Sequence, residues 1–352
     1  MKTDFSNKKT IRDVASMAGT SITTVSRVLN NIDYPVSKQL KERVLKAASE
    51  LNFSPNSLAQ SLKNLTSKEI GVIVPNISNP FYSQAIMGVE KVVEKSGYMV
   101  VLCNTFRHAE TEKNYLNMLY DKRVMGVVIS AFTENGDNVA EFARKGMEFV
   151  LLDQQIEGIN CNSINFDFHQ GGRLAAEYLI NKGHKKIALI TTPITRWSRS
   201  EIYKGYINTL ASNIKFQMQP IVFEGDTEQE DDAIIYENLV GRQMAKKFIE
   251  EKCDATGAVC VNDMVALGFI QELNKGNIRV PEDVSVIGFD DIPFASMFSP
   301  SLTTVRCAAL DVGMVAGRIL LDRIEGRAVY ESSLKIEPKI IERDTVKELK
   351  GG

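Results

Sequence analysis

Between Ser21 and Asn30 the chain reads Ser-Ile-Thr-Thr-Val-Ser-Arg-Val-Leu-Asn. Val25, Val28 and Leu29 recur at the i, i+3, i+4 spacing of one apolar helix face. Thr23, Ser26, Arg27 and Asn30 then point the other way, with Ile22 at the border. Short hydroxyls can bind phosphates and base edges, an arginine can grip a guanine edge bidentately, and an apolar group can meet a thymine methyl. Alone, such a face is ordinary solvated helix. Its surroundings favour a polyanion: residues 1–68 hold eleven Lys/Arg against five Asp/Glu, in a chain whose net charge is only −2.

A second set of polar residues lies just past apolar runs. Asn79-Pro80-Phe81-Tyr82 follows Ile70–Val74, Asp153 follows Leu151-Leu152, Asn262-Asp263 follows Val261, and Asp290 follows Val286-Ile287-Gly288-Phe289. In open parallel sheets, ligands gather at the carboxyl ends of strands. Asn and Asp also cap helices and form turns, so position alone leaves both roles open. Nothing points to catalysis. The chain has no G-x-G-x-x-G after a strand, no phosphate loop, no nucleophile elbow and no H-E-x-x-H. Its five cysteines are scattered without a C-x-x-C pair, and the three histidines show no ligand spacing with them. No metal, no cofactor and no enzyme activity is expected.

These residues need elements to hold them. Thr10 with Asp13 makes a T-x-x-D capping box ahead of Ile11, Val14, Ala15 and Ala18. Gly19 punctuates, a second helix starts near Ser21, and a third starts near Ser37 with Leu40, Val44, Ala47, Ala48 and Leu51 as its stripe. Two helices joined by a tight glycine turn over a third make a helix-turn-helix unit. From Ile70 onward, apolar runs alternate with helical patterns: Ile70–Val74, Met99–Leu102, Val124–Ile129, Phe149–Leu152, Ile187–Ile190, Ala258–Val261 and Val284–Ile287. Such alternation predicts parallel sheets covered on both faces, and this many runs overfill one sheet. The fold class expected is α/β: a three-helix helix-turn-helix head on two Rossmann-like lobes.

At 352 residues, 44% hydrophobic and 24% charged, the chain has the composition of a globular protein of two or three units. The start, Met1 to Ser6, lacks the apolar stretch of a secretory leader, and no run is long enough to span a bilayer. A cytoplasmic protein with reduced thiols and no membrane role is expected.

The ordered series Thr10-Ile11-Arg12-Asp13-Val14-Ala15, Ala18-Gly19, Ser21, Thr24-Val25-Ser26-Arg27-Val28-Leu29-Asn30, then Leu51-Asn52-Phe53, Pro55-Asn56 and Ala59 with Leu62, resembles the head of the LacI/GalR family of bacterial repressors. The resemblance continues through nearly the whole chain, whose body resembles periplasmic sugar-binding proteins. It implies a head over residues 1–53 and a hinge over 54–68. The remaining 69–352 would form a two-lobed effector and dimerisation domain, lobe one near 69–161 and 293–325, lobe two near 162–292 and 326–350.

The resemblance implies that the helix from Ser21 enters the major groove. Ile22 and Thr23 would be the variable base readers and Arg27 a more general base contact, while Thr10, Ser21, Thr24, Ser26 and Asn30 hold backbone. The hinge would carry Asn56, Ala59, Leu62 and Lys63 to the minor groove, Leu62 wedging a base step. Ser54 and Pro55 suit a helix start, and a two-turn helix is marginal alone, which suits a switch. In the body, Phe81 and Tyr82 would wall a sugar ring, and Asp153, Asn262 and Asp290 would bind its hydroxyls. Where the family often has an arginine this chain has Ile202, so Arg196, with Arg199 near it, is expected to supply positive charge for a sugar acid. The expected partners are double-stranded, pseudo-palindromic operator DNA, a small carbohydrate-related effector and a second copy in a homodimer. The alternatives are a regulator whose co-signal is a protein, a transport solute-binding protein without DNA role, and an α/β sugar enzyme.

Overall fold

The computed structural model describes residues 9–29, 35–53, 67–130, 136–154, 156, 161–213, 219–225, 235–328 and 333–349. The chain divides into two units, Met1–Ser67 and Lys68–Gly352.

The first unit contains α1 (Ile11–Ala18), α2 (Ile22–Leu29) and α3 (Lys38–Glu50). At the start of α1, the Thr10 backbone N–H and hydroxyl both donate to Asp13 Oδ2, at 2.7 and 2.9 Å. Gly19 ends the helix at φ 60°, and Thr20 N–H returns to the Ala15 carbonyl at 3.0 Å. That left-handed residue reverses the chain directly into α2, where Ser21 Oγ accepts from Thr24 N–H at 3.1 Å. Ser37 starts α3 by accepting from Leu40 N–H. Val14, Val25 and Val44 are fully buried and, with five flanking Ala and Val side chains, form the core of this unit.

The second unit holds two six-stranded sheets. Its first seven strands are β1 (Glu69–Val74), β2 (Met99–Asn104), β3 (Gly126–Ile129), β4 (Glu148–Leu152), β5 (Asn162–Phe166), β6 (Ile187–Thr191) and β7 (Ile221–Glu224). Then come β8 (Gly257–Cys260), β9 (Ser285–Asp290), β10 (Thr303–Arg306), β11 (Ser333–Ile336) and β12 (Lys339–Ile341). The first sheet runs β11-β5-β4-β3-β1-β2, parallel throughout. The second runs β12-β10-β9-β8-β6-β7, with only β12 antiparallel.

Eight helices cover them: α4 (Pro80–Val93), α5 (Ala109–Asp121), α6 (Asp137–Arg144), α7 (Phe168–Asn181), α8 (Trp197–Ser212), α9 (Tyr236–Glu250), α10 (Asp263–Lys275) and α11 (Ala309–Ile324). They pack in pairs, α4 on α11, α7 on α8 and α9 on α10. Glycine allows the approach: a Cβ on Gly313 would overlap the Ala85 carbonyl, and one on Gly88 the Leu310 carbonyl.

The seven apolar runs coincide with β1, β2, β3, β4, β6, β8 and β9, though Val124 and Val284 precede their strands. The lobe boundaries differ from those expected. β5 and β11 pair in the first sheet, not the second, and β10 pairs in the second, not the first. The chain therefore passes between lobes after β5, after β10 and after β11. β5, Asn-Ser-Ile-Asn-Phe, escapes a hydrophobic reading because it buries polar side chains, two of which find partners elsewhere in the chain. Arg323 Nη1 donates to Asn162 Oδ1 at 2.8 Å, and Asn165 Nδ2 donates to the Gln154 carbonyl at 2.9 Å. Among the described residues no helix is long and apolar enough to cross a membrane.

Candidate nucleic-acid interface and ligand cleft

In the first unit the wheel reading of α2 is realised. Val25 and Val28 are buried, Ile22 is 44% exposed, Thr23 is exposed, and Thr24, Ser26 and Arg27 are half-buried. Two hydroxyls serve the local fold as well, since Ser21 Oγ and Thr24 Oγ1 lie 2.9 Å apart. Thr10 likewise holds Asp13, whose carboxyl these hydrogen bonds lower from its ordinary pKa. A short basic helix thus shows hydroxyls, an arginine and an isoleucine on one outer face. Asn30, Asn56, Ala59, Leu62 and Lys63 lie outside the described residues.

In the second unit, the carboxyl ends of both sheets bring the second residue set together. Asp153 leaves β4 at φ 58°, and Arg196 stands at the N-cap position of α8. The Arg196 guanidinium meets Asp153 across the lobes, Nη2 to Oδ2 at 4.0 Å, with both side chains at most 10% exposed. Burial pushes the Asp153 carboxyl up, against the pull of Arg196 and Arg199. Burial likewise raises the Tyr82 phenol, which feels both Arg196 and Asp153.

Phe81 and Tyr82 are buried and meet edge-on at 5.2 Å, and Phe81 also abuts Phe166 at 6.1 Å. The ring series continues through Phe168 to Trp197 and Phe289, each within 6.0 Å. This aromatic seam follows the chain from the first lobe into the second at the β5-to-α7 passage.

Asn262 is fully buried and divided in role. Its Oδ1 accepts from Val265 N–H at 2.8 Å, capping α10, while Nδ2 has no partner among the described residues. Asp290 ends β9 at φ 118°, and burial, reinforced by Asp263, drives its carboxyl well upward. Asp263 itself is structural. Its oxygens accept from the Thr304 hydroxyl at 2.5 Å and from Ile292 N–H at 2.9 Å, fixing the loop that leaves β9. Burial lifts its pKa to about 7.

Two residues absent from the sequence reading stand beside this set. Arg107, past the end of β2 at φ 60°, donates through Nη2 to Glu237 Oε1 at 2.5 Å, and both side chains are at most 2% exposed. Asn79, which caps α4 through Phe81 N–H, also donates to that oxygen at 3.2 Å. Burial opposes the ionised Glu237 most strongly, but the Arg107 charge, hydrogen bonds from its own backbone and from Asn79, and the Arg199 charge together hold the carboxyl below its usual range. Arg107 could have been found by the strand-end rule that yielded Asp153. Glu237 had no such signal, because its lobe-two strand, β7, is four residues long and half exposed. Ile202, where a family arginine was missing, is fully buried in α8.

Comparison with known proteins agrees with this two-part build. The model of bacterial regulatory proteins of the lacI family matches residues 10–56, and that of a periplasmic binding protein-like domain matches 176–346. The HTH-type transcriptional repressor PurR of Vibrio atlanticus (strain LGP32) is 36% identical over 342 residues, 97% of this chain and 99% of that one. PurR of Haemophilus influenzae (strain PittEE) is 38% identical over 350 residues, again 97% and 99%. Among solved structures, the lac repressor dimer bound to operator and the anti-inducer ONPF superposes with TM-score 0.85 at 30% identity, covering 97% of this chain and 100% of that one. A LacI family regulator from Enterococcus faecium with bound ribose superposes at 0.70 with 26% identity, covering 80% and 100%. With a matching head, a matching body and full-length repressor relatives, the chain belongs to the LacI family of bacterial regulatory proteins, DNA-binding transcriptional repressors rather than enzymes.

Proposed function

We propose that this protein acts in the cytoplasm as a homodimer on a pseudo-palindromic operator and is controlled by a sugar or sugar acid held between its lobes. Ile22, Thr23 and Arg27 read bases in the major groove, and Thr10, Ser21, Thr24, Ser26 and Asn30 hold the phosphate backbone. Asn56, Ala59, Leu62 and Lys63 form the minor-groove hinge. The exposed apolar side chains of the body support self-association. Met87, Met99 and Leu102 show on one lobe, and Phe294, Met297 and Phe298 on the other.

The observation that carries the effector reading is the Arg196–Asp153 contact across the lobes, flanked by buried atoms with hydrogen-bonding capacity to spare. Asp153 Oδ1, Gln154 Oε1 and Asn262 Nδ2 make no hydrogen bond among the described residues. Buried polar atoms normally find partners, and the hydroxyls of a small polyol suit them. Charge points to an acid. Arg107 is matched by Glu237, but Arg196 and Arg199 both act on Asp153, while burial pushes the Asp153 and Asp290 carboxyls toward their neutral forms. A ligand that binds one lobe arrangement better shifts the population toward it, and the heads of the dimer follow.

Calorimetry of the full chain with glucose, gluconate and 6-phosphogluconate tests this, alongside footprinting on its own promoter region with the same panel. Gluconate or its phosphate should bind more tightly than glucose, and Arg196→Ala should weaken the acid by about tenfold or more, the loss of one charge-assisted hydrogen bond. Tight binding of glucose alone, indifferent to Arg196→Ala, overturns the sugar-acid assignment.

A further inference from the structure

We propose that Arg107 and Glu237 form a cross-lobe lock. It holds the cleft shut through one carboxylate oxygen and leaves the other as an acceptor for a ligand hydroxyl, a refinement that rests on the effector reading above. Arg107 reaches from the loop after β2 in the first lobe, and Glu237 sits in the first turn of α9 in the second. Their contact is tighter than Arg196–Asp153, 2.5 Å against 4.0 Å, and more deeply buried. Asn79, also from the first lobe, adds a second donor to the same oxygen, and the Arg107 guanidinium lies 5.1 Å from the Tyr236 ring centroid. Arg107 adopts its left-handed φ of 60° at a conformational cost, which such surroundings over-determine.

Glu237 Oε2 completes the reasoning. It is buried and makes no hydrogen bond among the described residues, whereas Oε1 takes donors from two first-lobe side chains. A carboxylate with one committed and one uncommitted oxygen is a positioned acceptor. A ligand carboxylate cannot take its place without stranding the Glu237 charge at 1% exposure, so ligand hydroxyls go to Glu237 and the ligand's anionic group goes to Arg196. Arg107 is thus a positioning residue. It acts on the ligand through Glu237 and on lobe closure through the bridge itself.

The test is hydrogen–deuterium exchange on the full chain without added ligand, comparing parent, Arg107→Met, Arg107→Lys and the double variant Arg107→Met/Glu237→Met. The double variant leaves neither buried charge orphaned, so it reports even if the single change unfolds the body. Amides at the start of α4 and α9 should exchange about tenfold faster in Arg107→Met and in the double variant, as expected for local opening, while α3 and β8 stay unchanged. Arg107→Lys should recover much of the protection, which a merely space-filling role would not do. Parent-like protection at both helix starts in the double variant overturns the lock. Calorimetry with glucose and gluconate on the same samples separates the two readings. Faster exchange in a protein whose parent binds neither probe keeps the lock and removes the sugar reading; binding with unchanged exchange does the reverse.

Discussion

The head and the body treat polar groups in opposite ways. Among its described residues the head buries only Val and Ala, and its polar side chains cap helices or face outward. The body buries Arg107, Arg199, Asp153, Glu237 and Asp263 along with many amides and hydroxyls. A charge withdrawn from water is costly unless it is paired, so the body keeps its site only by assembling partners from distant parts of the chain. A surface that reads a polyanion needs no such assembly, since phosphate attraction works from solvent. The difference suggests that the head's chemistry survives isolation, while the body's exists only in the folded whole.

The strongest way to break this comparison is to separate the parts. Removing residues 1–67 should abolish operator binding in gel shifts yet leave the melting of the body and its calorimetric response to ligand intact. Loss of both would mean the two units are not independent. Next, Gly313→Val drives a side chain into the Ala85 carbonyl at the α4–α11 contact, which neither helix can yield cheaply. Urea unfolding should show the body destabilised by about 1–3 kcal/mol or more, as overpacking does, with the head transition unmoved. On the head, Arg27→Ala should cost roughly 1–3 kcal/mol against the specific site if the side chain grips a base edge, and nothing in body stability. An unchanged affinity would return Arg27 to an ordinary solvated position.

A pH slope is expected as well. Asp263 is held protonated by burial up to about 7, against an ordinary 3.8. Its folded pKa is raised, so its contribution to stability is fully present below the ordinary value and is lost as pH rises toward 7. Thermal melts of Asp263→Asn should be flatter over that interval than those of the parent. A slope that persists in the variant would assign it to other groups.

Legibility followed the same divide. The head could be read almost residue by residue, since capping, the glycine turn and the apolar stripe are all settled within about one or two helical turns along the chain. In the body the strongly apolar strands were legible, but β5, β7, β10, β11 and β12 were not. They are short or carry polar residues whose partners lie far away in sequence. Of the candidate cleft residues, Asp153 and Asp290 were legible because they lie at the ends of recognisable strands. Arg107 also lies just past one, whereas Glu237 carries no such signal because its neighbouring strand is short and half exposed.

The order of residues alone determined a basic three-helix unit with its outward face, and an alternating α/β chain behind it. Periodicity and caps are local properties, and local properties are written directly in sequence. Tertiary structure alone decided which lobe receives β5, β10 and β11, that Asn262 is fully buried with an Nδ2 that has no partner among the described residues, and that Arg107 meets Glu237 from 130 positions away. Those outcomes depend on which buried groups can satisfy one another in space, and pairing at that range leaves no periodic trace along the chain.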